Sequence, residues 1–421
     1  IGLTTKYDTF VPDASHFQSI DEASIVWYGS SILQGAVASR PGQIMTHQVS
    51  RTLETLIYNF GFSGNCLMEL SVAQYLIEIN PKPSLFIIDC NPNMNYTLIR
   101  DRAVPLIQFI RQNGHPTTPI IMTEGTKHGT DWYSLSSRVG RYNKTRELKI
   151  AYDALVAKGD EHLYYSTSQD IYSASLGMKP EISGDNRFLV DPTVGGTHPS
   201  DLGMRKQATY WEKKIPFVLA EDAKKTNQKL NKKLNKKLNV NVHGNVQTSA
   251  PSLMYASLQD NAWEDHKDMN QLDNTMKTVV DPMTNWKWTN GADLLKGFST
   301  FKDENGKILS RNSPYNRLPS VAQADVRVPV WLLSEMSTGM YLKFTTNATD
   351  IAINHTLATD SENLWLMPPT GTDGLDIYAW SSFDTSWRHV PVTTGVELFA
   401  GNGKTMSGVF HQPEPEHATN V

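Results

Sequence analysis

The segment Ser84-Leu85-Phe86-Ile87-Ile88-Asp89-Cys90 is apolar on both faces of any strand it forms, as expected of a strand covered by helices on both sides. It sits in a series running from Ser24 to roughly Phe217, in which short β-branched runs alternate with helical stretches. The series reads SIVWYG, then THQVSRTLETLIYNFGF as a helical stretch, then SLFIIDC, then VPLIQFIRQNG, then PIIMTEG. Strands separated by helices imply a parallel sheet with crossovers, so this half is expected to be a three-layer α/β domain.

The rest of the chain follows other patterns. Residues 221–251 become rich in Lys and Asn, with Leu230, Leu234 and Leu238 recurring every fourth residue; they are expected to form a linker, or a short helix. Beyond it, NWKWTNG, GFSTFKD, RVPVWLLSE, GMYLKFTTNATDIAINHTL, LDIYAWSS and GVELFAG read as short strands. Their close spacing predicts a β-sandwich of jelly-roll type over 252–421. The expected division is therefore 1–220 α/β, 221–251 linker and 252–421 β-sandwich.

Charge and composition narrow the functional classes. Within 421 residues, 39 basic against 43 acidic side chains leave a net charge of -4, so no overall field is available to hold nucleic acid or an anionic membrane. No long apolar window suggests a membrane span, and IGLTTKYDTF lacks the pattern of a targeting segment, so a mature or untargeted start is expected. Cys66 and Cys90 cannot build a disulfide framework and lack metal-ligand spacing; burial as free thiols at strand ends is the expectation, which leaves the redox compartment open. Sequons at Asn95, Asn143, Asn347 and Asn354 are about as many as chance supplies.

The chemistry-bearing residues fall at the ends of expected strands. Tyr28-Gly29-Ser30-Ser31-Ile32 places a serine in a glycine-flanked turn that opens a helix, where a hydroxyl and an amide are exposed for attack and for charge stabilisation. Further along come Asn59-Phe60-Gly61-Phe62-Ser63-Gly64-Asn65, Asp89-Cys90-Asn91-Pro92-Asn93-Met94 and Gly196-Thr197-His198-Pro199. In this order the four blocks resemble those of the SGNH (GDSL-type) hydrolases. The resemblance implies a three-layer SGNH-hydrolase fold, Ser31 as nucleophile, His198 as base, and an oxyanion hole from Ser31, Gly64 and Asn93. It calls for no metal or cofactor. An imidazole that takes the serine proton, with donors already aimed at the developing oxyanion, is what ester cleavage requires.

One position departs from the pattern. The family has Asp three residues before its histidine, where this chain has Gly195. Three outcomes stay open: a Ser31–His198 dyad with a backbone carbonyl on the imidazole, a replacement acid such as Asp191, or a degraded site serving a structural or glycan-binding role. Restoring a carboxylate at Gly195 is expected to raise turnover if the site is a weakened triad. Arg40, in Ser39-Arg40-Pro41-Gly42, is a candidate clamp for an anionic or sugar group, or else a loop lock. His128 is a candidate cleft residue or a solvated loop histidine. Glu124 is read as a structural acceptor at its strand end in preference to a residue facing the substrate.

In the second half, Asn316-Arg317-Leu318-Pro319, Trp331-Leu332-Leu333-Ser334, Ser337-Thr338-Gly339 and Gly374-Leu375-Asp376-Ile377-Tyr378 resemble the β-sandwich domain that accompanies one branch of SGNH carbohydrate esterases. That resemblance implies an acylated carbohydrate or glycan as substrate partner and an extracellular or periplasmic location. Trp286, Trp288, Trp331, Trp380 and Trp387 are read as core residues or a sugar-stacking platform. In that branch the sandwich precedes the hydrolase, so the order here reads as permuted, with Ile1-Gly2-Leu3 as a strand of the sandwich and Ile1 and Val421 on one domain.

Overall fold

The computed structural model describes residues 2–5, 24–80, 82–126, 131, 134–168, 171, 192–238, 287–290, 295–296, 300–301, 307–343, 350–356, 366–372, 374–381, 385–390, 405–411 and 419–420. Its centre is a five-stranded parallel sheet. The strands are β2 (Ile25–Gly29), β3 (Ile57–Gly61), β5 (Leu85–Asp89), β6 (Ile120–Thr123) and β7 (Leu163–Ser166), in the order β3-β2-β5-β6-β7. Strand residues split alternately between two hydrophobic clusters, as the period of two requires. Val26, Tyr28, Phe86 and Ile88 face one side; Ile25, Trp27, Leu85 and Ile87 face the other. Helices α3 (Leu70–Ile77), α4 (Tyr96–Gln112) and α5 (Leu135–Ala157) cover the first side through Val72, Ile99, Leu106 and Leu148. Helices α2 (Met45–Leu53) and α6 (Asp201–Leu238) cover the second through Val49, Met204 and Trp211. This is the three-layer α/β arrangement that the two-faced strand demanded.

Several sequence expectations are corrected. The stretch THQVSRTLETLIYNFGF is not one helix. Helix α2 stops at Leu53, Glu54 turns into the left-handed region at φ 48°, and β3 begins at Ile57. Of the two forms expected for 221–251, a linker or a short helix, the described part is helical, as the end of α6, which runs 38 residues to Leu238. Leu, Lys and Gln are strong helix formers, and Asp222 fastens this stretch to the domain by a buried 2.8 Å contact with His162 Nδ1. RVPVWLLSE is not a strand but helix α8 (Val328–Ser334), following a short α7 (Ala322–Asp325). A short apolar run cannot be told from a buried helix by pattern alone; here Pro329 sits at the helix start, and Val330, Trp331 and Ser334 form the buried face.

Beyond the α/β unit, β1 (Gly2–Thr5) lies between β10 (Lys287–Asn290) and β14 (Asp350–Thr356), and β17 (Thr405–His411) completes an antiparallel order β10-β1-β14-β17. β15 (Ile377–Ser381) pairs with β16 (Ser386–Val390) and β18 (Thr419–Asn420). β4 (Ile79–Asn80) pairs with β12 (Thr300–Phe301), so the second half adds a strand directly to the first. Leu318, Ala322, Val326, Val330 and Trp331 enter the same hydrophobic cluster as α3 and α4. Trp331 is therefore core, and Trp380 meets Trp387 edge to face at 5.6 Å. Trp286, Ile1 and Val421 lie outside the described residues.

Candidate active site

Ser30 ends the turn after β2 and caps the short helix α1 (Ser31–Gln34), its hydroxyl accepting from Ile32 N–H at 3.3 Å. Ser31 is thus the first helical residue, where the helix offers its amide no acceptor. The turn is forced by close packing: a Cβ on Gly29 would lie 2.7 Å from Leu33 Cδ2, and Gly35, at φ 95°, leaves only 2.4 Å to Ile44 Cδ1. The Ser31 side chain is buried, and its Oγ lies 2.9 Å from His198 Nε2 across 167 residues of sequence. The histidine is presented by a two-residue ladder between β8 (Thr193–Val194) and β9 (His198–Pro199), with Gly195 and Gly196 in the intervening turn at φ 65° and 78°. The position of the family acid thus has left-handed backbone, which favours glycine. Asp191 and His128 lie outside the described residues.

The other candidate oxyanion residues come from the loops after β3 and β5. Gly64 lies at φ 66°, and nothing stands within 4 Å of where a Cβ would be. Asn93 Oδ1 accepts from Cys66 N–H at 3.3 Å, which assigns the other end of this amide as its donor nitrogen. Cys66 and Cys90 are joined in a disulfide, correcting the expectation of free thiols. The expectation failed because the partners are 24 residues apart, and only the parallel pairing of strands brings their Cα atoms to 5.0 Å. The bond ties the Gly64 loop to the Asn93 turn. Lys144 Nζ holds the carbonyls of Asn91 and Pro92 at 3.3 and 3.1 Å, fixing the same turn from α5.

Asp89 ends β5 beside this turn. It is buried, its Oδ1 finds no hydrogen-bond partner among the described residues, and burial pushes its pKa up from 3.8 to about 8. The folded state therefore keeps this proton over a range where the unfolded chain loses it, and the sign follows: stability falls as pH rises from about 4 to about 8. In Asp89→Asn this component disappears. Melting temperatures from pH 5 to 9 are expected to fall less steeply in the variant than in the parent; parallel profiles refute the assignment.

Arg40 is engaged by protein. Its Nη1 donates to Asp376 Oδ2 and Tyr378 Oη, each at 3.1 Å. Asp376 Oδ2 also accepts from Gly42 N–H at 2.8 Å, and the Arg51 guanidinium stacks 3.8 Å over the Tyr378 ring while donating to Gly42 O at 2.6 Å. On the other side, Ser39 N–H donates to Asp201 Oδ1 at 2.8 Å, three residues beyond His198. The Gly-Leu-Asp-Ile-Tyr segment thus grips the loop that joins α1 to α2. Contact is close enough that a Cβ on Gly42 would lie 2.3 Å from Tyr378 Cε2 and 2.6 Å from Asp376 Oδ2. Gly42→Ala is expected to cost roughly 1–3 kcal/mol by overpacking, read as a lower denaturation midpoint; an unchanged midpoint contradicts the grip. Glu124 accepts from Tyr165 Oη at 3.1 Å and Ser168 N–H at 2.9 Å, a structural acceptor.

The residues that sequence reasoning missed are Arg317 and Arg327. Arg317 is buried and donates to the carbonyls of Asn59, Gly61, Leu333 and Met336 at 2.6–3.0 Å, with Phe62 beneath its guanidinium at 4.8 Å. Burial lowers its pKa to about 9. Asn316-Arg317-Leu318-Pro319 stood out as a motif, but no local pattern tells that its arginine enters the first half.

The structure thus brings a serine–histidine pair to the carboxyl ends of a parallel sheet, beside two loops bearing amide donors. Residues 22–216 match the GDSL-like lipase/acylhydrolase family. Residues 286–407 match the family described as the N-terminus of SGNH-hydrolase-type esterases, although here that segment follows the hydrolase segment. No curated protein matches the chain. Similar solved structures include a protein of Bacteroides ovatus described as a GDSL-like lipase, at 33% identity and TM-score 0.42, covering 47% of this chain and 54% of its own. A family two carbohydrate esterase from Clostridium thermocellum in complex with cellohexaose is 15% identical at TM-score 0.34, covering 47% of this chain and 65% of its own. A two-domain esterase active on acetylated mannans is 16% identical at TM-score 0.33, covering 49% and 51%. The chain thus spans about half the length of the first and third of these.

Proposed function

We propose that the protein is a serine esterase that removes acetyl or other short acyl groups from carbohydrate. The observation that carries this reading is the 2.9 Å approach of Ser31 Oγ to His198 Nε2 within a segment matching the acylhydrolase family. His198 takes the hydroxyl proton as Ser31 Oγ adds to the ester carbonyl. The negative oxygen is received by Ser31 N–H, Gly64 N–H and Asn93 Nδ2. Collapse of the tetrahedral intermediate expels the alcohol, which takes the proton from His198; water then repeats the sequence on the acyl-serine and releases the acid. The choice of carbohydrate follows the resemblance of the second-half motifs to the domain accompanying SGNH carbohydrate esterases. An extracellular or periplasmic location is part of the proposal and is supported by the Cys66–Cys90 disulfide, which persists in oxidising compartments.

Gly195 favours a second reading, in which the fold is kept for glycan binding or a structural role without turnover. Treatment with an aryl phosphonate separates the two. The esterase reading expects a single adduct, located on Ser31 by mass spectrometry and lost in His198→Gln, together with hydrolysis of aryl acetates and acetylated sugars. No adduct and no hydrolysis overturn it.

We further propose that the second half is a jelly-roll β-sandwich in permuted order. The pairing of β1 between β10 and β14, and the order of the two family segments, support this reading.

A further inference from the structure

Gly64 is the proposed oxyanion donor least supported by its own packing. Nothing stands within 4 Å of a Cβ there, and its φ of 66° belongs to a residue type with wide backbone freedom. The direction of its N–H is therefore set by the residues on either side. Both are held. Ser63 N–H donates to Gln34 Oε1 at 2.8 Å, and Asn65 Nδ2 donates to Ser63 O at 2.8 Å, so the two neighbours close on each other around Gly64. Asn65 is in turn gripped from the second half, by Arg327 Nη1 on its Oδ1 at 2.8 Å and Arg327 Nη2 on its backbone carbonyl at 3.2 Å. The same guanidinium is oriented by Glu69, with Nη2 to Oε2 at 2.9 Å. Arg317 fixes the root of the loop through Gly61 O at 2.7 Å.

We infer that Arg327 is a positioning residue for the Gly64 oxyanion donor, supplied by the second half to the hydrolase half. This rests on the esterase reading for its kinetic consequence, but the geometric claim stands apart from it. A planar fork with donors to an amide oxygen, a backbone carbonyl and a carboxylate is needed, and lysine cannot reproduce it. The alternative is that Arg327 merely fastens the halves together, as Asp325 does by accepting from Gln74 Nε2 at 3.1 Å and from Tyr75 Oη.

The test compares Arg327→Gln, Arg327→Lys and Asp325→Asn in the full chain, reading aryl acetate kinetics and amide hydrogen exchange. Both Arg327 variants are expected to lose about 10- to 100-fold in kcat with little change in KM, the scale on which small misplacements act. Amides 63–66 should exchange faster while the central sheet is unaffected. Asp325→Asn is expected to keep kcat within about twofold, since its contacts lie on α3, outside the loop. Unchanged kcat and unchanged exchange at 63–66 in Arg327→Gln, or an equal loss of kcat in Asp325→Asn, overturn the inference. If the parent hydrolyses no ester, the esterase reading fails separately, and the exchange comparison alone decides whether Arg327 orders the loop.

Discussion

Ser31→Ala is expected to lower turnover of short acyl esters by about 10⁴- to 10⁶-fold, to the background set by the remaining oxyanion donors. The magnitude follows from the geometry. Ser31 Oγ lies 2.9 Å from His198 Nε2, and the substitution removes the hydroxyl that this base would activate. His198→Gln should fall to a similar level, and the double variant little further, because the two side chains act as one unit. Steady-state rates on an aryl acetate and on an acetylated sugar decide it. A Ser31→Ala protein that retains the parent rate would remove this serine from the chemistry. Because α1 is only four residues long and Ser30 supplies its cap, the substitution leaves the local fold intact, so a loss of rate reads as chemistry.

The second large effect concerns the Cys66–Cys90 bond. Replacing both cysteines by serine is expected to cost roughly 3.5 kcal/mol of stability, the chain-entropy value for a loop of this size. The bond closes a 24-residue separation that includes α3, and its two ends carry the Gly64 loop and the Asn93 turn. Urea denaturation of the parent with and without reductant, beside the double variant, measures it. The reduced parent and the variant should share a lowered midpoint. Equal midpoints in all three samples would mean that parallel pairing of β2 with β3 and β5 already holds these loop ends without the bond.

Each half contributes to the site in a way that separate domains would not. The Asp376 carboxylate holds the Arg40–Gly42 loop on the His198 side, and Arg317 with Arg327 holds the Gly64 loop on the other. These two grips are made by motifs that looked, in sequence, like features of an independent domain. Gly339 shows the same intimacy: at φ 87°, a Cβ there would lie 2.5 Å from that of Asn59 in β3.

The sequence by itself determined the parallel α/β class, because SLFIIDC needs cover on both faces and the alternation of strand and helix permits only crossovers. The serine turn, the two later loops and the histidine segment stood out through the resemblance of four blocks to the SGNH hydrolases, and left-handed glycines at 64, 195 and 196 fall in two of those segments. What it left undetermined are relations between segments distant in the chain. Whether VPVWLLS is strand or helix depended on the hydrophobic cluster it meets, as a seven-residue apolar run satisfies either period. The bonding of Cys66 to Cys90, the burial of the Arg317 guanidinium among carbonyls and the 2.9 Å approach of Ser31 to His198 arise only when strand ends converge. Local propensity acts over a few residues of backbone, whereas these contacts are selected by the packing of whole layers. The tertiary structure alone decided which side chains the loops bearing Gly64 and Asn93 lean on.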